Sequence, residues 1–234
     1  MKKISLILLL VFFTSCQNQN FSKQVKINEA SGICFMQNSS SFFVVWDEGE
    51  ITELDENLKK LRQYKYDKNY DFESIICEKN NLFTTNEKTW EIYKIDVNSF
   101  KILEKYKIDW YKLNKKWIEG FTKIWKNKYV ISTQTKKNNL LILEKTNSTE
   151  DFNSLKFKVI EKINFPYSDL SWLNYYKNFL YIISDKNDKI FKYDLIKKQI
   201  IQKIKLPKSH WEWISRNNSW ELYLSDDSGR VVKL

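Results

Sequence analysis

Glu29-Ala30-Ser31-Gly32-Ile33, followed after a turn by Phe42-Phe43-Val44-Val45-Trp46-Asp47, decides the fold, because the chain repeats it. The opening returns as Asp71-Phe72-Glu73-Ser74-Ile75, Trp117-Ile118-Glu119-Gly120-Phe121, Asp169-Leu170-Ser171-Trp172-Leu173 and His210-Trp211-Glu212-Trp213-Ile214. The middle residues stand 42, 46, 52 and 41 positions apart (31→73→119→171→212). After each opening comes an apolar run, at 42–46, 81–85, 128–132, 179–183 and 221–225. Each run leads to a polar residue: Asp47, Asn86, Gln134, Asp185 and Asp226. An alternating stretch follows at 51–54, 92–95, 140–143, 190–193 and 231–234, and Asp55, Asp96, Glu144 and Asp194 close four of these. A last segment, such as 101–108 or 199–206, completes those copies. β-Branched and aromatic runs broken by Asn, Asp, Gly and Lys are strand and hairpin signals.

Short strands repeating at this period predict an all-β fold, a β-propeller with one repeat per blade. Five copies predict five blades over residues 25–234. The last copy lacks a fourth strand, and 23–27 has no copy of its own. That segment is expected to fill the gap and close the ring, hiding a sheet edge that would otherwise invite aggregation. A sixth, degenerate blade within the two longer intervals is the alternative. Copy three carries an extra loop at 146–153. The nine Trp and most of the Phe and Tyr are read as packing between blades, since aromatics bury large area.

Residues 1–15 read as an export signal. Lys2 and Lys3 precede an apolar core, Ile4 to Phe13, that is too short to span a bilayer. Thr14-Ser15-Cys16 resembles a bacterial lipobox, which makes Cys16 the lipidated first residue, carrying palmitate-type chains, and 16–24 a polar tether. Gln17 rather than Asp after the cysteine favours the outer over the inner membrane. The expected location is the cell envelope, with the membrane reached through the lipid anchor.

The formal net charge is +10, or +8 without Lys2 and Lys3. The excess is scattered Lys; only Arg62, Arg216 and Arg230 are Arg, and no basic-aromatic stripe appears. Nucleic acid is therefore excluded as a partner. A monomer that binds an envelope protein or a small ligand is expected. Cys34 and Cys77 lie three and four residues after Ser31 and Glu73. On strands of period two these offsets face opposite ways, which predicts two buried free thiols rather than a disulfide.

Residues at i, i+2 and i+4 of each opening share a face. The outer set is Glu29, Asp71, Trp117, Asp169 and His210. The next is Ser31, Glu73, Glu119, Ser171 and Glu212, and the third is Ile33, Ile75, Phe121, Leu173 and Ile214. First strands line a propeller's axis, so a channel with an acidic mouth and an apolar plug is expected. The second strand returns antiparallel and brings Asp47, Asn86, Gln134, Asp185 and Asp226 to the same end. Converging carboxylates need a proton, a Lys or a cation between them. Oxygen donors suit Ca²⁺ or another hard cation. The structural reading is that these acids cap turns and hydrate the channel. His210, the single His, is a lone metal ligand among carboxylates, a general base with acidic neighbours, or a structural residue. No Gly-x-Ser-x-Gly nucleophile, His-rich metal site or glycine-rich phosphate loop is present, and no catalytic residue is assigned.

The repeated openings, with Val44-Val45-Trp46-Asp47, Ile183-Ser184-Asp185 and Leu224-Ser225-Asp226, resemble the SdiA-regulated family. These are bacterial propellers related to esterase-like phytase and gluconolactonase-type propellers. The likeness runs over 25–234. It implies a propeller and an envelope location more than a reaction. Ser74, Trp172 and Trp213 stand where the family motif has glycine, and their bulk is expected to face between blades or to cover the channel. Two functions are consistent with these residues. One is a binding or scaffold module stabilised by a divalent cation. The alternative is a metal-dependent lactonase or phosphoesterase acting through the acidic rim.

Overall fold

The computed structural model describes residues 23–27, 30–109, 117–134, 139–146, 155–206, 208, 210–219, 221–226 and 228–233. The expected export signal, Cys16, most of the expected tether, Glu29 and most of the 146–153 stretch lie outside the described residues, as do the side chains of Trp117 and Gln134.

The described chain is strand after strand. β1 (Lys23–Lys26) comes first, then β2 (Ala30–Met36), β3 (Ser41–Trp46), β4 (Glu50–Asp55) and β5 (Lys60–Lys65) form a first meander. β6 (Phe72–Glu78), β7 (Asn81–Asn86), β8 (Glu91–Asp96) and β9 (Ile102–Asp109) form a second. β10 (Trp117–Trp125), β11 (Lys128–Gln134), β12 (Asn139–Thr146) and β13 (Lys156–Asn164) form a third. β14 (Trp172–Tyr176), β15 (Phe179–Ser184), β16 (Lys189–Asp194) and β17 (Gln199–Lys205) form a fourth. β18 (Trp211–Arg216), β19 (Leu222–Asp226) and β20 (Arg230–Lys233) begin a last one, and β1 completes it by pairing antiparallel with β20, Lys23 opposite Lys233.

Among the described residues these strands make three four-stranded sheets and one of eight. The larger sheet joins the second and third meanders through their outer strands, where β13 runs parallel to β9. Nothing in the repeat signals that extra pairing. The innermost strands touch in the cyclic order β2, β6, β10, β14, β18 and back to β2. The fold is propeller-like, with the strands where the sequence places them.

Both faces of the middle strands are covered, which is why they read as unbroken apolar runs. On β3, Phe42 and Val44 pack with Tyr223, Leu224 and Val232 of the last meander. Phe43 and Val45 pack the other way, with Phe72, Ile75 and Tyr93 of the second. On β7, Leu82 faces the first meander and Phe83 faces the third. Each fully buried Phe or Leu contributes roughly 1.5–3 kcal/mol relative to exposure. The outer strands are wetter: β5 is exposed along nearly its whole length.

Trp172 and Trp213 are buried in the core cluster of the first, fourth and last meanders, so their bulk faces inward. Ser74 is buried and bonded to Thr85 Oγ1 at 2.7 Å. Where glycine is kept, neighbouring backbones close in. A Cβ on Gly120 would sit 2.7 Å from Ser132 Oγ and 2.8 Å from Leu173 Cγ; one on Gly32 would sit 3.1 Å from Ile75 N.

The cysteines correct the sequence reading, for they form a disulfide, Cys34–Cys77, with Cα atoms 5.6 Å apart. The parity argument holds within one sheet. Cys34 and Cys77 belong to the innermost strands of two stacked sheets, and stacked sheets meet through opposite faces. Residues that point opposite ways in their own repeats therefore point at each other.

Candidate functional site

The acidic mouth is built by an irregularity in the innermost strands. Pairing slips by one residue between Ala30 and Gly32, between Phe72 and Ser74, between Ile118 and Phe121, and between Trp211 and Trp213. The extra residues are Ser31, Glu73, the Glu119–Gly120 step and Glu212. They are β-bulges, which re-aim a side chain out of the pleat. The simple i, i+2 alternation therefore breaks at the middle residue of the motif. One consequence is that Phe121, expected on the axis, turns into the core between the second and third meanders.

Bulged residues and returning strand ends meet on one side of the mouth. Asp47, Asp71 and Glu73 each place a carboxylate oxygen within 4.8 Å of the others. Asp47 comes from the first meander, just after β3, and the other two lead into the second. Ser31 Oγ donates to Asp47 Oδ1 at 2.5 Å. Lys88 Nζ lies 3.1 Å from an Asp71 oxygen, and the Glu87 N–H donates to the Asp71 carbonyl at 3.0 Å. Burial holds the Glu73 carboxyl well above its ordinary range, and the charges of Glu119, Asp47 and Glu87 push it further up. Glu87 is raised too, chiefly by burial and by Asp71 and Asp47, against a hydrogen bond from Glu73 and the charge of Lys88. Glu73 and Glu87 are thus both held above the ordinary carboxylate range by burial and by the carboxylates around them. Glu87 is absent from the sequence-derived set, although its place one residue beyond the end of β7 was there to be read.

On the other side of the mouth the acids have side-chain partners. His210 Nδ1 lies 3.1 Å from Asp185 Oδ2, with the His210 side chain 76% exposed and Asp185 17%. Asp185 opens a 3₁₀ turn, Asp185–Asn187, and its N–H donates to the Asp169 carbonyl at 3.0 Å. Asp169 has φ 59°, a left-handed conformation that Asp tolerates better than most residues. Ser171 Oγ donates to the Trp211 carbonyl at 3.2 Å and ties the fourth meander to the last. Asp226 does not join the cluster. Arg230 Nε and Nη2 reach its Oδ2 at 2.8 and 2.5 Å, and Ser228 Oγ and the Arg230 N–H take Oδ1 at 2.6 and 3.1 Å. Burial alone would raise its carboxyl, but these donors lower it. Glu212 is half-buried at the bulge of β18. Asn86 is fully buried against Tyr93 Oη.

The hairpin acids are turn caps. Asp55 accepts from the N–H groups of Asn57 and Lys59, both at 2.8 Å, and Asp194 from those of Ile196 and Lys197, both at 2.9 Å. Asp96 does the same for Ser99. The Asx turn explains their recurrence.

Beyond the bulges the axis is not plugged. A cavity of about 650 Å³ is walled by Ile33, Ile75, Trp172, Leu173, Trp213 and Ile214, among others. Side chains of this size leave the centre of the strand ring open.

Two solved structures share this architecture. Glutaminyl cyclase from Myxococcus xanthus is 12% identical, with 91% of this chain and 94% of that one covered at a TM-score of 0.68. The β-propeller domain of Cps50 (Swd1) from Myceliophteria thermophila is 9% identical, with 92% and 99% covered at 0.52. Identities this low show a shared fold alone. No curated protein sequence matches the chain. The motifs that supply Ser31, Glu73, Glu119, Ser171 and Glu212 all fall within residues 15–217, the span matched by the model of the SdiA-regulated family, and the chain belongs to that family.

Proposed function

We propose that the protein is a lipid-anchored, cell-envelope propeller of five blades, closed by β1, that works as a binding module and takes a divalent cation at its acidic mouth. The observation that carries this reading is the convergence of Asp47, Asp71 and Glu73 from two neighbouring meanders, with Glu119 close enough to raise Glu73. Carboxylates gathered from separate repeats form a hard-oxygen donor set, and Ca²⁺ accepts such donors with water completing its shell. Cys16 supplies the anchor and places the ring at a membrane, on the outer-membrane side by its Gln17. The test is a thermal melt with EDTA followed by Ca²⁺ add-back. A site restored only in the folded state stabilises by mass action, about 2.7 kcal/mol at a hundred times its Kd. An unchanged midpoint with every divalent ion tried would remove the cation from this reading. Radiolabelled palmitate incorporation, lost on Cys16→Ser, checks the anchor.

A second reading is favoured by the Glu73–Glu87 pair, because neighbouring carboxyls raised by burial and by nearby charge are a mark of catalytic carboxylates. A cation held there would activate water for lactone or phosphoester hydrolysis. The glutaminyl cyclase likeness supports the capacity of the fold for catalysis and says nothing about this reaction. Ester or lactone turnover abolished by Glu119→Gln would establish this second reading over the first.

A further inference from the structure

The cavity lies toward the opposite end of the innermost strands from the acidic cluster. Its lining takes the later residues of each: Ile33 to Phe35, Ile75 to Glu78, Thr122 and Lys123, Leu173 to Tyr176, and Ile214 to Arg216. The disulfide sits in this wall, between the first and second meanders. The floor is apolar and includes two indoles, Trp172 and Trp213. The mouth reaches solvent at Gln37, Asn174, Lys177 and Asn218, all exposed.

The charge at this mouth is of the other sign. Lys123, Lys177, Lys192 and Arg216 lie in its described lining, and Lys123 is paired there with Glu78. Aromatic rings fix where the cations stand. The Arg216 guanidinium lies 4.1 Å from the Tyr176 ring centroid, and Lys192 Nζ lies 4.1 Å from that of Phe179. Burial would raise the Tyr176 phenol, yet side-chain hydrogen bonds from Arg216 and Lys177 bring it below its ordinary value.

We propose that this second mouth binds a small organic anion with an apolar body, a carboxylate carried on an aromatic or alkyl group. The apolar part fills the well between Trp172, Trp213 and the isoleucines, and the carboxylate meets Arg216 with the lysines around it. The volume is that of an ordinary small-molecule site. A low-dielectric wall rimmed by one sign of charge concentrates anions. The site shares no residue with the acidic mouth, so the two proposals stand or fall separately.

The test uses the full chain carrying Cys16→Ser, so that no acyl group is attached, and matched probes: 3-phenylpropanoate, 3-phenylpropanol, 3-phenylpropylamine and acetate. Calorimetry and Trp fluorescence are read together. The anion is expected to bind about tenfold tighter than the alcohol, the scale of a hydrogen bond to a charged group. The amine and acetate are expected to be far weaker. Arg216→Gln should cost the anion most of that preference. If Arg216→Gln fails to fold by circular dichroism, the Lys177→Gln/Lys192→Gln double variant serves, with a loss of several-fold. Equal binding of the three phenyl compounds overturns the proposal, and so does acetate binding as well as phenylpropanoate. Undiminished anion binding in folded rim variants, or binding lost instead on Asp47→Asn, overturns it too.

Discussion

The two ends of the axis differ in how their charge is made. At one end, Asp47, Asp71, Glu73 and Glu87 crowd together, and among the described residues Lys88 is the cation paired with them. At the other, Lys123, Lys177, Lys192 and Arg216 line an apolar well, with Glu78 the one acid in its described lining. The acidic end is written by the repeat: the same bulged position and the same strand end supply a polar group in copy after copy. At the basic end Lys123 and Arg216 share a repeat position, four after Glu119 and Glu212, but the other copies put Phe35, Cys77 and Tyr175 there, and Lys177 and Lys192 come from a hairpin turn and from β16. A periodic sequence therefore announces one mouth and hides the other.

The comparison can be broken most forcefully at the link that lies in the cavity wall. Cys34→Ser with Cys77→Ser removes a crosslink spanning 43 residues. Chain entropy sets the loss at about 4 kcal/mol, read as a lower denaturant midpoint. An unchanged midpoint in oxidising buffer would mean that the bond does not form. The acidic end is probed by pH. Glu73 is raised in the folded state above its ordinary 4.5, so its contribution is whole below 4.5 and fades as pH rises through the folded value. Relative to Glu73→Gln, the wild type should lose about 1.4 kcal/mol for each pH unit between the two values. Thermal midpoints of both proteins from pH 4 upward measure this, and parallel curves would mean that the Glu73 carboxyl is not raised. Asp226 carries the opposite sign. Its carboxyl is lowered below 3.8, so its stabilisation is present above 3.8 and lost as pH falls through the folded value. Asp226→Asn should cost about 1.5 kcal/mol at neutral pH and little in acid. The smallest effect belongs to the basic end. Lys123→Gln opens a part-exposed ion pair with Glu78 and should change stability by under about 1 kcal/mol. A larger loss would show that the rim holds the fold together rather than a ligand.

The strands were legible because burial on both faces forces apolar runs between turns that need Asp or Asn, and Asp55, Asp96 and Asp194 make those turns as Asx caps. The closing strand was legible from the unmatched 23–27 segment, which pairs with β20. The gathering of Asp47 with Asp71 and Glu73 followed from counting repeats. The bulges were not legible, since an extra residue in one strand appears only against its partner. Phe121 was misplaced for that reason. The disulfide was missed because period-two parity describes a sheet and not the contact between two sheets. The Asp226–Arg230 pair hid behind a motif position, although the two residues are only four apart. The cavity was hidden because its wall is apolar, and apolar residues read the same whether they fill an axis or surround a space.

β1 lies on β20, Lys26 opposite Arg230 and Lys23 opposite Lys233. On the ribosome the first of these strands is made long before its partner. Every intermediate chain therefore carries an unlatched ring, with one outer strand waiting and the last meander unbuilt. Assembly is gated by a contact of nearly maximal sequence separation, a slow step by the physics of loop closure.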